Sequence, residues 1–192
     1  MSDNYVGRNP SPAAGTQVTL DALAARIAVL EAARPTLGAP TPAAGTFVDF
    51  AIPAGAKQVV VSYIGISTNG ASSLRLQLAT GGAIDATPTY FGGDNRAGGA
   101  GDLTGFNDSN GFDTPVGVSA AAVLHGAAIL TLVNPATNIW SCVQVLGQSD
   151  VARAGSGGGS KALAGVLDRV RLTTLNGIDV FDAGSFNIMV IG

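Results

Sequence analysis

From Thr46 to the end, the chain is a series of short, mostly alternating apolar runs cut by turn residues. Phe47, Val48, Phe50 and Ile52 precede Pro53-Ala54-Gly55-Ala56. Lys57 to Ile66 follows, carrying Val59, Val60, Val61, Tyr63, Ile64 and Ile66, and Asn69-Gly70 then marks a turn, with a type I′ hairpin as one option. Leu74-Arg75-Leu76-Gln77-Leu78 alternates strictly, which predicts a half-buried strand, and Gly81-Gly82 ends it. His125 to Val133 and Ile139 to Leu146 flank the turn Asn134 to Asn138. Strands are also expected over Arg169 to Leu175, Ile178 to Phe181 and Ser185 to Ile191. Regular strands with turn signals and no helical period predict a mainly β domain over 46–192, an antiparallel, jelly-roll-like β-sandwich. Two stretches break the rhythm. Residues 92–118 read as a long structureless loop, and Gly155 to Ser160 as a second, flexible one.

The first 45 residues are different. Residues 1–18, rich in Pro, Gly and Ala, read as an extended arm. In 19–34, Leu20, Leu23, Ile27 and Leu30 fall at the a/d spacing of a coiled coil. Thr19 is the expected N-cap, Asp21 sits in the first turn, Arg34 in the last, and Pro35 stops the helix. The competing reading is an amphipathic helix packed on its own domain. The flanks favour association of copies, because Pro10 and Pro12 precede the helix, and a stiff linker over 35–45, with Pro35, Pro40 and Pro42, follows it. Ile27 at an a position with Leu at d suits a dimer as well as a trimer.

Only 12% of the 192 residues are charged, about half the share of an ordinary soluble domain, while 46% are hydrophobic and 27 are Gly. That hydrophobicity argues against disorder throughout, and the glycines show no period of three, which excludes collagen. Ten Lys and Arg against thirteen Asp and Glu give a net charge of −3, so no nucleic-acid partner is expected. Cys142 is the only cysteine, so no intrachain disulfide forms, which fits a reducing compartment. The longest apolar stretch, Ala120 to Val133, is broken by His125, Gly126 and Thr131, so no membrane insertion is expected, and Met1 to Tyr5 does not begin a signal peptide. A chain this poor in charge either hides surface in partners or relies on Ser, Thr, Asn and Gly for solubility.

Catalytic chemistry is sparse. There is no Gly-x-Ser-x-Gly elbow and no Walker loop. His125, the only histidine, and Cys142, in mid-strand, read as structural. Asp94, Asp102, Asp108 and Asp113 cluster in the long loop, and Asn107 to Asp113 is oxygen-rich, but it lacks the spacing and distal Glu of a Ca²⁺ loop. No catalytic residue, metal or cofactor is therefore expected, and the chain reads as a non-enzyme. Trp140 and Tyr63 are expected in the core. Tyr90 and Phe91 border the loop and read as an exposed aromatic pair. With Asp94, Asn95, Asn107, Asp108 and Asn110 they are the candidate ligand site, suited to a sugar.

Ile52-Pro53-Ala54-Gly55-Ala56-Lys57 before a strand, followed by Ile64-Gly65-Ile66-Ser67-Thr68-Asn69-Gly70-Ala71-Ser72-Ser73, resembles a recurring element of tailed-bacteriophage virion proteins. Leu74 to Leu78, His125-Gly126, Val145 to Ser149, Gly159 to Leu163, Leu167 to Thr174 and Gly177 to Ile188 are similar too, in the same order, across most of 46–192. The resemblance does not reach residues 1–45 and carries no catalytic residues. It implies a structural component of a phage virion, a homotrimeric short fibre or spike made in the host bacterial cytoplasm. Its arm would dock on a capsid or tail protein, and its head would contact host-surface polysaccharide. The trimer follows from the fibre likeness, not from the heptads. The alternatives are a decoration protein without receptor binding and a lectin-like module.

Overall fold

The computed structural model describes residues 14–87, 89–97, 103–104, 110–114, 116 and 119–192. Two compact units divide between Arg34 and Pro35. The first contains a helix, α1 (Ala14–Ala32). It begins five residues before the expected start, so Thr19 is not its N-cap and Asp21 lies beyond its first turn. The reason is that no proline stands between Pro12 and Pro35, and a helix propagates through Gly15 at a cost of only about 1 kcal/mol. Leu20, Leu23, Ile27 and Leu30 are all exposed on it. Among the described residues, no helix is long and apolar enough to cross a membrane.

The second unit is mainly β. Its strands are β1 (Thr36–Leu37), β2 (Thr41–Pro42), β3 (Phe47–Ala51), β4 (Gln58–Thr68), β5 (Leu74–Thr80), β6 (Ala83–Ile84) and β7 (Phe91–Ala97). They continue with β8 (Leu103–Thr104), β9 (Phe112–Asp113), β10 (Leu124–Asn134), β11 (Ile139–Gln148), β12 (Arg153–Ala162), β13 (Leu167–Thr174) and β14 (Phe181–Ile191). They form two antiparallel sheets. The first runs β1-β14-β4-β10-β11-β12-β7-β8, with β2 also on β14; the second runs β3-β13-β5-β6, with β9 on β5. Buried side chains of both sheets make one core. Val59, Val61, Tyr63, Leu130, Trp140, Cys142 and Phe186 from the first face Val48, Phe50, Leu74, Leu76, Leu78, Val170 and Leu172 from the second. Each large side chain so buried contributes about 1.5–3 kcal/mol. Phe186 meets the rings of Tyr63 and Phe181 edge-on, each at 5.3 Å.

Several expectations are corrected here. Asn69-Gly70 does not close a hairpin, because β4 and β5 lie in different sheets. The Asn69 side chain instead accepts the Val180 amide, and Asp179 accepts that of Ser72, so this turn is tied to the 176–180 loop. Ile178 to Val180 is no strand, because Asn176 Oδ1 accepts the Ile178 and Asp179 amides and curls the chain before β14. The stretch expected as a linker lays β1 and β2 along β14. Pro42 has no N–H to offer a further strand, a device that protects a sheet edge.

Gly155 to Ser160 is not a loop. It is the middle of β12, paired on one side with β11 and on the other with β7. The glycines lose entropy on ordering, yet ladders on both sides satisfy their backbone groups. The 92–118 stretch likewise contributes β7, β8 and β9; its residues 98–102, 105–109, 115, 117 and 118 lie outside the described residues. Gly126 sits at a register shift of β10 with φ 145°, and a Cβ there would fall on the Val145 carbonyl. Gly126→Ala should therefore cost about 2–4 kcal/mol, read as a lower midpoint in urea unfolding.

Candidate functional site

Tyr90 is the clearest correction among the predicted ligand residues. It is 3% exposed, not an exposed platform. Its ring packs edge-on against Phe112 at 5.0 Å, while its hydroxyl accepts the Leu78 amide at 3.0 Å and donates to the Asp85 carbonyl at 2.9 Å. An apolar ring with a polar tip is well placed at such a sheet margin, and burial pushes the phenol above its ordinary pKa. Phe91, Asp94 and Asn95 lie in β7, with backbones paired to Ser160, Gly157 and Ser156. Asn107 and Asp108 lie outside the described residues. Asn110 is half-buried, and its carbonyl accepts a hydrogen bond from Gln77 at 2.8 Å. Asp113 is committed to a buried ion pair, its Oδ1 2.7 Å from Arg75 Nε. Arg75 is thereby buried at a position where alternation predicts exposure.

Lys161 is the residue that sequence reasoning missed, hidden at the end of the glycine-rich run. Its side chain is fully buried, with Nζ 3.0 Å from Asp85 Oδ1 and 2.7 Å from Thr87 Oγ1. It also donates to Thr89 Oγ1 and stands 4.5 Å above the Tyr90 ring. All three ammonium donors are satisfied, as a buried charge requires. The cluster fastens Asp85, Thr87, Thr89 and Tyr90 to β12. Burial pushes the Asp85 carboxyl up, but hydrogen bonds from Thr87 and the Lys161 ammonium outweigh it and hold it below its ordinary value. Because the folded value lies below the unfolded one of about 3.9, this stabilisation is complete above about pH 4. It should fade as the pH falls through the folded value, and Asp85→Asn should flatten that part of the stability profile.

Cys142 is buried, and desolvation raises its thiol far above the usual range. A thiol reagent should leave the native protein unlabelled and modify one thiol per chain in denaturant.

The outward faces of the two sheets contrast. On the first, register aligns three rows across β14, β4, β10, β11 and β12. They are Met189, Val60, Ile129, Val143 and Gly158; Asn187, Ser62, Ala127, Val145 and Ser156; and Ile191, Gln58, Thr131, Ser141 and Ser160. No residue in these rows is charged, and Val143 and Val145 are 55% and 58% exposed. The second sheet places Asp49, Arg75, Arg169 and Arg171 outward. Arg171 grips Asp49 at 2.7 and 2.8 Å and covers the Phe47 ring at 3.9 Å. Beside it lies a shallow groove of about 280 Å³. One face is thus ready for solvent, while the other offers neutral, partly apolar surface of the kind that marks an interaction site.

No protein-family model matches the chain, and no curated protein is significantly similar to it.

Proposed function

We propose that the protein is a structural component of a tailed-bacteriophage virion, a homotrimeric short fibre or spike whose head contacts host-surface polysaccharide. The single observation that carries this reading is the set of uncharged outward rows across β14, β4, β10, β11 and β12 of the first sheet. A neutral face can meet copies of itself without like-charge repulsion, whereas a face dominated by one sign of charge cannot. It also accounts for a chain with only 12% charged residues. The exposed a/d stripe of α1 offers a second surface for the same partner, in the manner of a coiled-coil stalk.

The head reads further as a jelly roll. In β2-β14-β4-β10, β2 lies beside the last strand; in β3-β13-β5-β6, β3 lies beside the next to last. That interleaving is what two stacked Greek keys produce, with β11, β12, β7 and β8 extending one sheet. The sequence resemblance supplies the virion setting, with the N-terminal arm docked on a capsid or tail protein. Labelled antibody against the head, imaged on phage particles, tests it. Label in projecting positions supports the reading, and particles without label overturn it.

A further inference from the structure

The groove on the second sheet is lined by Thr46, Phe47, Gln77, Arg171 and Thr173 among the described residues, and Gln77 ties it to Asn110. We infer that it is a saccharide subsite that takes an uncharged hexopyranose unit. This deepens the glycan contact proposed above and rests on it.

Its floor is formed by outward side chains of adjacent strands, with Arg171 opposite Gln77 and Thr173 opposite Arg75. One end is Phe47, on the edge strand β3 and 47% exposed; the other is the turn at Leu175 to Gly177, where Leu175 is exposed. Arg171 spends two of its five N–H donors on Asp49, which fixes the plane of the guanidinium and neutralises its charge. Gln77 donates to the Asn110 carbonyl and keeps its amide oxygen as an acceptor. Thr173 donates to the Thr46 carbonyl and keeps its lone pairs. The groove therefore offers immobilised donors and acceptors next to the half-exposed Phe47 ring, one face of which Arg171 covers, and next to exposed aliphatic carbon of Leu175.

That combination suits a ring whose edge is hydroxyl and whose face is C–H. It does not suit phosphate, because the guanidiniums of Arg75 and Arg171 already face carboxylates. Nor does it suit a divalent cation, because the described lining residues include no Asp or Glu. A shallow groove binds weakly, but several copies on one particle multiply the affinity.

The test uses the full chain and saturation-transfer NMR with methyl glucoside, galactoside and mannoside, and with phosphate and glucuronate as anionic probes. At least one neutral hexoside should bind, and Phe47→Ala and Gln77→Ala should each weaken it at least fivefold. Melting temperature and solution mass should match the parent. Arg171→Lys, which keeps the charge but loses the planar fork, should weaken binding as well. Three results would overturn the proposal: no hexoside bound, binding unchanged in all three variants, or binding of the anionic probes alone. An assembled chain that binds no hexoside removes this inference and leaves the assembly reading standing. A monomer that binds one does the reverse.

Discussion

Replacing Val143 and Val145 together by Lys should convert the proposed trimer into monomers without unfolding the chain. Both side chains point outward from β11 and are more than half exposed in a single chain. In a lone subunit the change is a surface substitution, within about ±0.5 kcal/mol per site. In an assembly that closes over this face, each new ammonium meets neutral, apolar surface and has no partner. A buried, unpaired charge costs several kcal/mol, and every 1.4 kcal/mol is tenfold in affinity, so association should weaken by at least about a thousandfold. Sedimentation or light scattering reads the mass, and urea unfolding checks the fold. An unchanged mass would show that copies meet elsewhere.

Lys161→Ala should be among the most damaging single substitutions in the head, at about 3–5 kcal/mol. It removes the ammonium that Asp85, Thr87 and Thr89 converge on and leaves the Asp85 carboxylate, 11% exposed, without its counter-charge. The double variant Lys161→Met with Asp85→Ala should recover most of the loss, because exchanging a whole buried pair for apolar groups is often close to neutral. Urea unfolding of the parent, the single and the double variant measures both effects. A single variant as stable as the parent would mean that Asp85 and Tyr90 are held by the Tyr90 hydroxyl and the Tyr90–Phe112 ring contact without help from Lys161.

Much of the β architecture is legible in the chain, since burial imposes a period of two. β4, β5, β10, β11, β13 and β14 lie where apolar alternation and turn residues put them, and Asn134 to Asn138 closes the β10–β11 hairpin, with Asn138 at φ 49°. Local pattern fails where non-local pairing decides. β12 has almost no side chains to alternate, and only its neighbours β11 and β7 make it a strand. The outcome at Asn69-Gly70 depends on side chains more than a hundred residues away. The candidate site is less legible. Tyr90 stands at the border of a polar stretch, yet its hydroxyl is claimed by backbone groups at Leu78 and Asp85. Phe47 stands in an apolar run with nothing in the local sequence to mark it, and β3 turns it outward under Arg171. The neutral face was present as a signal without an address. Low charge appears in the composition, but only the register shows that the uncharged outward positions of five strands lie side by side.

Self-assembly carries the proposed function, and the mass of the full chain in solution tests it most directly. Light scattering on the size-exclusion peak at micromolar concentration should give three times the 19.0 kDa chain mass, about 57 kDa. A peak at 19.0 kDa would contradict it.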